Sequence, residues 1–292
     1  MEPLYIAWTM DCERIARESP PGGPATWELS ERAIRGYCDT LLGAGALPTL
    51  FLTPECAARH AAMFRDYAEN GVNLGLHVHP QSFGDHRYGK YLGEYDADMQ
   101  HRIISEAAGV FADAIGWAPR SFRAGNDSAS DNTFRILSEL GFEAGSVSCP
   151  GREVPKYAAS WEGACRYAHW AHRSDRLVAG ELPFFELPMS THPTERSPDG
   201  LAHELRIEWG TLRDWQQPII EAVIADMEAN RVEFKSLCFI THNTFAFDDP
   251  SIPQSQTLRD TLTFLRTLAP RFTIRATTLI GAREAFRTMC PV

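Results

Sequence analysis

Short apolar runs alternate along this chain with amphipathic stretches long enough to be helices, and that alternation leaves few folds open to it. The runs fall at residues 4–11, 47–53, 73–80, 121–126, 142–149, 236–243 and 272–276, with a proline-interrupted run at 181–188 that reads as an edge strand. Helical patterns lie between them at 30–42, from Pro54 to Asn70, and at 96–115, 131–140, 211–230 and 254–268, with a further helix at the end of the sequence. Ser30 is the expected N-cap of the first helix, and Gly43-Ala-Gly45 its stop. Pro218 marks a start or a kink in the helix at 211–230. Strands joined by crossovers of about a dozen residues or more must pair in parallel. Neither a repeat, a low-complexity segment nor a compositional break divides the chain, so one α/β domain over residues 1–292 is expected. Seven or eight strands favour a barrel, closed or nearly so, over an open sheet.

Composition excludes several partners. The net charge of −10 argues against a nucleic-acid backbone or an anionic membrane surface, while neutral and cationic small molecules stay open. No run is apolar enough to span a bilayer, and the first residues enter an apolar segment without a basic region before it. Seven cysteines, odd in number and without a C-x-x-C pair, read as reduced thiols and not as a disulfide framework. A cytoplasmic location is the expectation.

In a parallel barrel the reactive groups gather where strands end at their C-terminal side. Four strand ends carry such groups: Asp11 and Glu13, His77 and His79, Arg123 with Asn126, and His242. His77 and His79 are two residues apart on a strand, so they share a face. Two imidazoles with a carboxylate make a mixed N/O donor set for a divalent ion, with Zn²⁺, Co²⁺, Ni²⁺ and Fe²⁺ all accommodated. Each residue alone has an ordinary reading: a loop-capping Asp11, a solvated Glu13, a surface-paired Arg123, a core His242. Their fall at one end of every strand is what favours a shared site.

The residues also resemble a known family. Thr9-Met-Asp-Cys-Glu13, His77-Val-His-Pro80, Phe122-Arg-Ala-Gly125 and Phe239-Ile-Thr-His242 occur in the order and rough spacing of motifs in the polysaccharide deacetylase superfamily (carbohydrate esterase family 4). The segment 182–190, ending Glu-Leu-Pro-Met-Ser, is similar to one found among its members. The resemblance spans about residues 4–288 and implies a distorted (β/α)7-type barrel with parallel strands. It further implies a metal-dependent hydrolase that removes an acyl group from an amine of a sugar or small natural product.

By position, Asp11 matches the family's catalytic base, Arg123 the arginine that orients it, and His242 the histidine that protonates the departing amine. His77 and His79 match the metal-binding histidines. Two departures bear on the metal. The family commonly has two adjacent aspartates, and Cys12 occupies the second position here, so Glu13 is taken as the carboxylate ligand with Cys12 as its competitor. The family's histidines commonly lie four residues apart, whereas one residue separates these, which brings His86 in as a substitute. The expected ligands of one divalent ion, Zn²⁺ first, are therefore Glu13, His77 and His79. A catalytically inactive carbohydrate-binding barrel, and a non-hydrolytic isomerase or lyase, are the alternatives. Four histidines (His169, His172, His192 and His203) read as surface or substrate-contact residues. The aromatics Tyr88, Tyr91, Trp161, Tyr167 and Trp170 are the first place to seek sugar contacts.

Overall fold

The computed structural model describes residues 1–18, 22–82 and 87–291. Its centre is β1 (Glu2–Cys12), an apolar strand with both faces packed, as the near-continuous hydrophobic run requires. Further strands follow as β2 (Thr49–Leu52), β3 (Asn73–Val78), β4 (Ser121–Ala124), β5 (Ala144–Gly145), β6 (Glu153–Val154), β7 (Ala159–Ser160), β8 (His169–Trp170), β9 (Phe185–Glu186), β10 (Thr191–Arg196), β11 (Ala202–Glu204), β12 (Lys235–His242) and β13 (Phe272–Thr277). The principal sheet runs β12-β1-β2-β3-β4-β5-β9-β8, parallel throughout except for the last pair. One edge of β1 carries two strands in succession, β13 beside residues 2–7 and then β2 beside residues 9–12.

The sheet curls. Between β9 and β12 the chain at 204–207 supplies the missing backbone partners: Leu205 donates to Ser190, Ile240 to Leu205 and Ile207 to Ile240. The fold is thus a mixed α/β, mostly parallel, curled sheet of the (β/α)7-barrel type, with the strand ends predicted to carry chemistry at one rim.

Helices cover the outside: α1 (Trp27–Gly43), α2 (Pro54–Arg59), α3 (Ala61–Glu69), α4 (Ala97–Ile115), α5 (Thr133–Glu139), α6 (Gln217–Ala229), α7 (Pro253–Thr267) and α8 (Leu279–Met289). Several begin and end where local chemistry dictates. Asp96 caps α4 by accepting from the Met99 amide at 2.9 Å, and Gly116 ends it at φ 101°, a conformation glycine takes without a Cβ clash.

Some expectations need correcting. The first helix starts at Trp27 under a Thr26 cap, which places Ser30 inside the helix and buries it. The run at 54–70 is two helices broken at His60. The run at 142–149 pairs as a strand over two residues only. The run at 181–188 is not an edge: Phe185 and Glu186 pair with β5 on one side and β8 on the other, because Pro183 and Pro188 lie outside the paired residues. β8 adds an antiparallel pair to a sheet expected to be parallel, and β6–β7 and β10–β11 form two separate antiparallel hairpins beside it. Pro218 stands in the first turn of α6, after a π-helical turn at Leu212–Gln216.

Candidate metal centre

Strand register brings the candidate residues together. Asp11 is the direct partner of His242 across β1 and β12, and His77 is that of Arg123 across β3 and β4. Glu13 lies one residue beyond the end of β1, held by the side chain of Asn243. That amide accepts from the Glu13 N–H at 2.9 Å and donates to the Glu13 carbonyl at 3.0 Å. Asn243 is itself held by the Ser30 hydroxyl at 2.8 Å.

Three donors converge there. The Nε2 atoms of His77 and His79 lie 3.1 and 2.8 Å from Glu13 Oε1, and one ligand atom from each of the three residues falls within 4.8 Å of the other two. The imidazole rings meet almost at right angles, with centroids 4.8 Å apart. His77 Nδ1 donates to the Arg123 carbonyl at 3.1 Å, which fixes the tautomer that leaves Nε2 free to coordinate. Glu13 Oε2 is buried with no protein partner. Room for the His79 ring is made by Gly125, where a Cβ would come 2.3 Å from His79 Nδ1. An orphaned carboxylate oxygen, a cradle open only to glycine and a two-imidazole, one-carboxylate donor set all fit a divalent ion with positions left for other ligands. Cys12 is turned away, buried in the apolar core with Sγ 3.9 Å from the Met10 carbonyl. His86 lies outside the described residues.

Beside this triad sits a buried ion pair. Arg123 Nη1 donates to Asp11 Oδ1 and to Thr9 Oγ1, both at 2.8 Å, while Nε and Nη2 bond the carbonyl and hydroxyl of Ser146. The guanidinium stacks on Phe51, 4.5 Å from its centroid. Every polar edge of the arginine is used, so it cannot turn away from Asp11. Asp11 Oδ2 lies 3.8 Å from His77 Nε2 and 4.0 Å from His242 Nε2.

Burial by itself would raise the pKa of Asp11. The charge of Arg123, aided by His77 and His242, overcomes this and holds the carboxyl below its ordinary value. Glu13 follows the same logic, burial being outweighed by His79 and His77, and lies well below the usual range. For His77 burial disfavours the proton, but in the metal-free site Asp11 and Glu13 prevail and raise it to about 9, so a bound cation would displace a proton from Nε2. Anionic carboxylates at neutral pH are what both a proton acceptor and a metal ligand need.

His242 donates its Nδ1 proton to Glu208 Oε1 at 2.6 Å, which leaves Nε2 facing Asp11. Arg206 Nη1 reaches the same Glu208 oxygen at 3.2 Å, forms an ion pair with Glu204 and stacks on Trp209. Arg152 and Asp127 form another ion pair at 3.1 Å. All these groups except Glu204 line a cleft of about 450 Å³ over the rim, completed by residues such as Asn126, Tyr157, Asp199 and Phe245.

The structure therefore gathers Asp11, Glu13, His77, His79, Arg123 and His242. Sequence reasoning missed Asn243, Glu208 and Arg206. Asn243 directly follows His242 and could have been found as the polar end of that strand. Glu208 and Arg206 sit in a segment without periodicity, and only the folded chain shows them beneath His242. The aromatics singled out are mostly packing: Trp161 is fully buried, Trp170 joins the cluster of Phe185 and Phe286, and Tyr157, Trp209 and Phe245 line the cleft instead. His169 and His203 are buried and not on the surface.

No family model matches the sequence, and no curated protein does. Solved structures do. A probable polysaccharide deacetylase from Pseudomonas aeruginosa PAO1 superposes with a TM-score of 0.65 at 13% identity, over 99% of this chain and 92% of that one. A Mycobacterium smegmatis protein assigned to the polysaccharide deacetylases gives 0.62 at 15% identity, over 99% and 91%. The chain has the polysaccharide deacetylase fold. The allantoinase PuuE shares it, with a TM-score of 0.64 at 12% identity over 99% and 92% of the two chains. At such identities the polysaccharide deacetylase fold is what is common, and what this chain does must be argued from its own rim.

Proposed function

We propose that this protein is a metal-dependent amide hydrolase that removes an acyl group, acetyl first among them, from an amine nitrogen of a sugar or small natural-product substrate. One observation carries the reading: a three-donor site, an arginine-held carboxylate and a carboxylate-backed histidine share one cleft. The two neighbours named for polysaccharide deacetylation support it, and PuuE, named as an allantoinase, has the same fold. Glu13, His77 and His79 would hold one divalent ion, Zn²⁺ in the first instance. Bound there, the ion would act as a Lewis acid on the acyl carbonyl and lower the pKa of the attacking water.

The chain's own residues do the rest. Asp11 Oδ2 is the only oxygen of that carboxylate not committed to Arg123, and it accepts the proton of the attacking water. Arg123 keeps the carboxylate ionised and in one orientation. His242 Nε2 gives a proton to the departing nitrogen, so that the amine leaves neutral, and Glu208 stabilises the imidazolium form needed for this. The cleft admits a ligand of roughly drug or short-oligosaccharide size. Residues 1–292 act as one catalytic domain in this reading, with neither nucleic acid nor membrane as partner. Among the described residues no helix is long and apolar enough to cross a membrane. All seven cysteines are unpaired, which supports a reducing compartment such as the cytoplasm.

Elemental analysis of purified protein and acetate release from N-acetylglucosamine oligomers test the proposal. About one equivalent of metal is expected, with turnover abolished in Asp11→Asn while the metal remains. Protein without stoichiometric metal, or an Asp11→Asn variant that still turns over, would overturn it. An isomerase would instead convert its substrate without releasing a carboxylic acid.

A further inference from the structure

The turn after β4 holds a side chain that the chemistry above does not use. Asn126 adopts φ 57° and ψ 20°, left-handed backbone that residues with a Cβ seldom take, and Asp127 follows at φ 55°. Asp127 is tied down on both counts, its carbonyl accepting from Trp161 Nε1 at 2.7 Å and its carboxylate paired with Arg152. The Asn126 side chain is not. The residue lines the cleft, and among the described residues its Oδ1 has no hydrogen-bond partner. The residue before it, Gly125, lies against the ring of His79.

Glycine would take this backbone more readily than asparagine. Structure alone therefore gives no reason for a side chain here, still less one whose carbonyl oxygen is removed from solvent and left unsatisfied. Such oxygens in a binding wall are normally completed by the ligand. We propose that Asn126 is a substrate-recognition residue whose Oδ1 accepts the N–H of the amide being cleaved, so that the site selects secondary amides over esters. The inference rests on the deacylase reading. It adds a discrimination that the metal and Asp11 cannot provide, because both act on the acyl carbon alike in amide and ester. An ester offers no donor and leaves Oδ1 unpaired, the arrangement by which buried polar groups reject near-isosteres.

The test compares wild type with Asn126→Gly, a change the backbone accepts without strain. Both proteins are loaded with Co²⁺, and acetohydroxamate, which carries an N–H beside its chelating oxygens, and acetate, which has none, are titrated by visible absorption. Acetohydroxamate should bind the variant at least about tenfold more weakly and acetate within about threefold of wild type, with no fall in Tm. Asn126→Asp, which keeps an acceptor, should recover most of the acetohydroxamate affinity. Equal weakening of both probes, or no weakening of either, overturns the proposal, the second outcome meaning that Oδ1 does not meet the ligand. A wild type that gives no cobalt spectrum overturns the metal-site reading first, and this inference with it.

Discussion

At the scale of single residues the site is held by groups that never touch a substrate. Gly125 is the sharpest case: an alanine methyl there would sit 2.3 Å from His79 Nδ1 and 2.5 Å from Cε1, well inside contact distance. Gly125→Ala should therefore leave the protein folded but rotate His79 out of the triad. Zn²⁺ affinity measured by chelator competition should fall at least about tenfold, the scale seen when support of a ligand is lost. Unchanged affinity would show that His79 is not a ligand. Asn243→Ala removes both bonds to the Glu13 backbone and the one to the Ser30 hydroxyl, so a loss of about 2–3 kcal/mol in urea unfolding is expected. The ligand candidates were legible because histidines and acids at strand ends are rare enough to notice. Gly125 and Asn243 were not, since a glycine needed for one neighbour's ring and an amide needed for one neighbour's backbone look like any others until the neighbour is known.

At the scale of elements the decisive fact is the register of β1 against β12, which sets Asp11 opposite His242. Three residues earlier Trp8 is opposite Phe239, and their rings stack 4.3 Å apart, both buried. This pair pins the register from the core side, where a one-residue slip would turn every side chain over. Trp8→Ala should cost about 3–5 kcal/mol, read as a lowered urea midpoint, and should reduce turnover of the remaining folded protein by loosening Asp11 against His242. A variant as stable and active as wild type would mean that register is fixed elsewhere. The strand–helix alternation was readable because parallel strands buried on both faces announce themselves as apolar runs. The two-residue pairings at β5 and β9 and the closing segment at 204–207 were not readable. There, pairing is decided by what the barrel leaves open and not by local propensity.

At the scale of the whole molecule, the barrel interior buries charge beyond the reacting groups themselves, and Glu186 is one group that should tie stability to pH. Its Oε1 accepts from the amides of Val147 and Ser148 at 2.8 Å and from the Ser148 hydroxyl at 2.7 Å, while Oε2 has no partner. Burial raises its pKa against those hydrogen bonds, to about 7. An unfolded glutamate titrates near ~4.3, so between these values the folded state holds a proton that the unfolded state has released. The contribution is thus complete below about pH 4 and is lost as pH rises through about 7, an amount on the order of 3 kcal/mol. Glu204 and Glu208 act in the opposite sense. Burial raises them but is outweighed, by Arg206 and Arg152 for Glu204 and by His242 for Glu208, so their contribution is lost only as pH falls below about 4. Between pH 5 and 7 the slope due to Glu186 should therefore stand apart from theirs, and above about pH 6.5 His77, raised to about 9, adds a decline of the same sign. Glu186→Gln should remove the part of the decline in urea-unfolding free energy that falls between pH 5 and 7, leaving the part that His77 causes above it, and should gain on wild type as the pH rises to 7. If wild type and variant keep the same pH slope, Glu186 is ionised in the folded state, its charge offset by Arg123 and the three donors to Oε1.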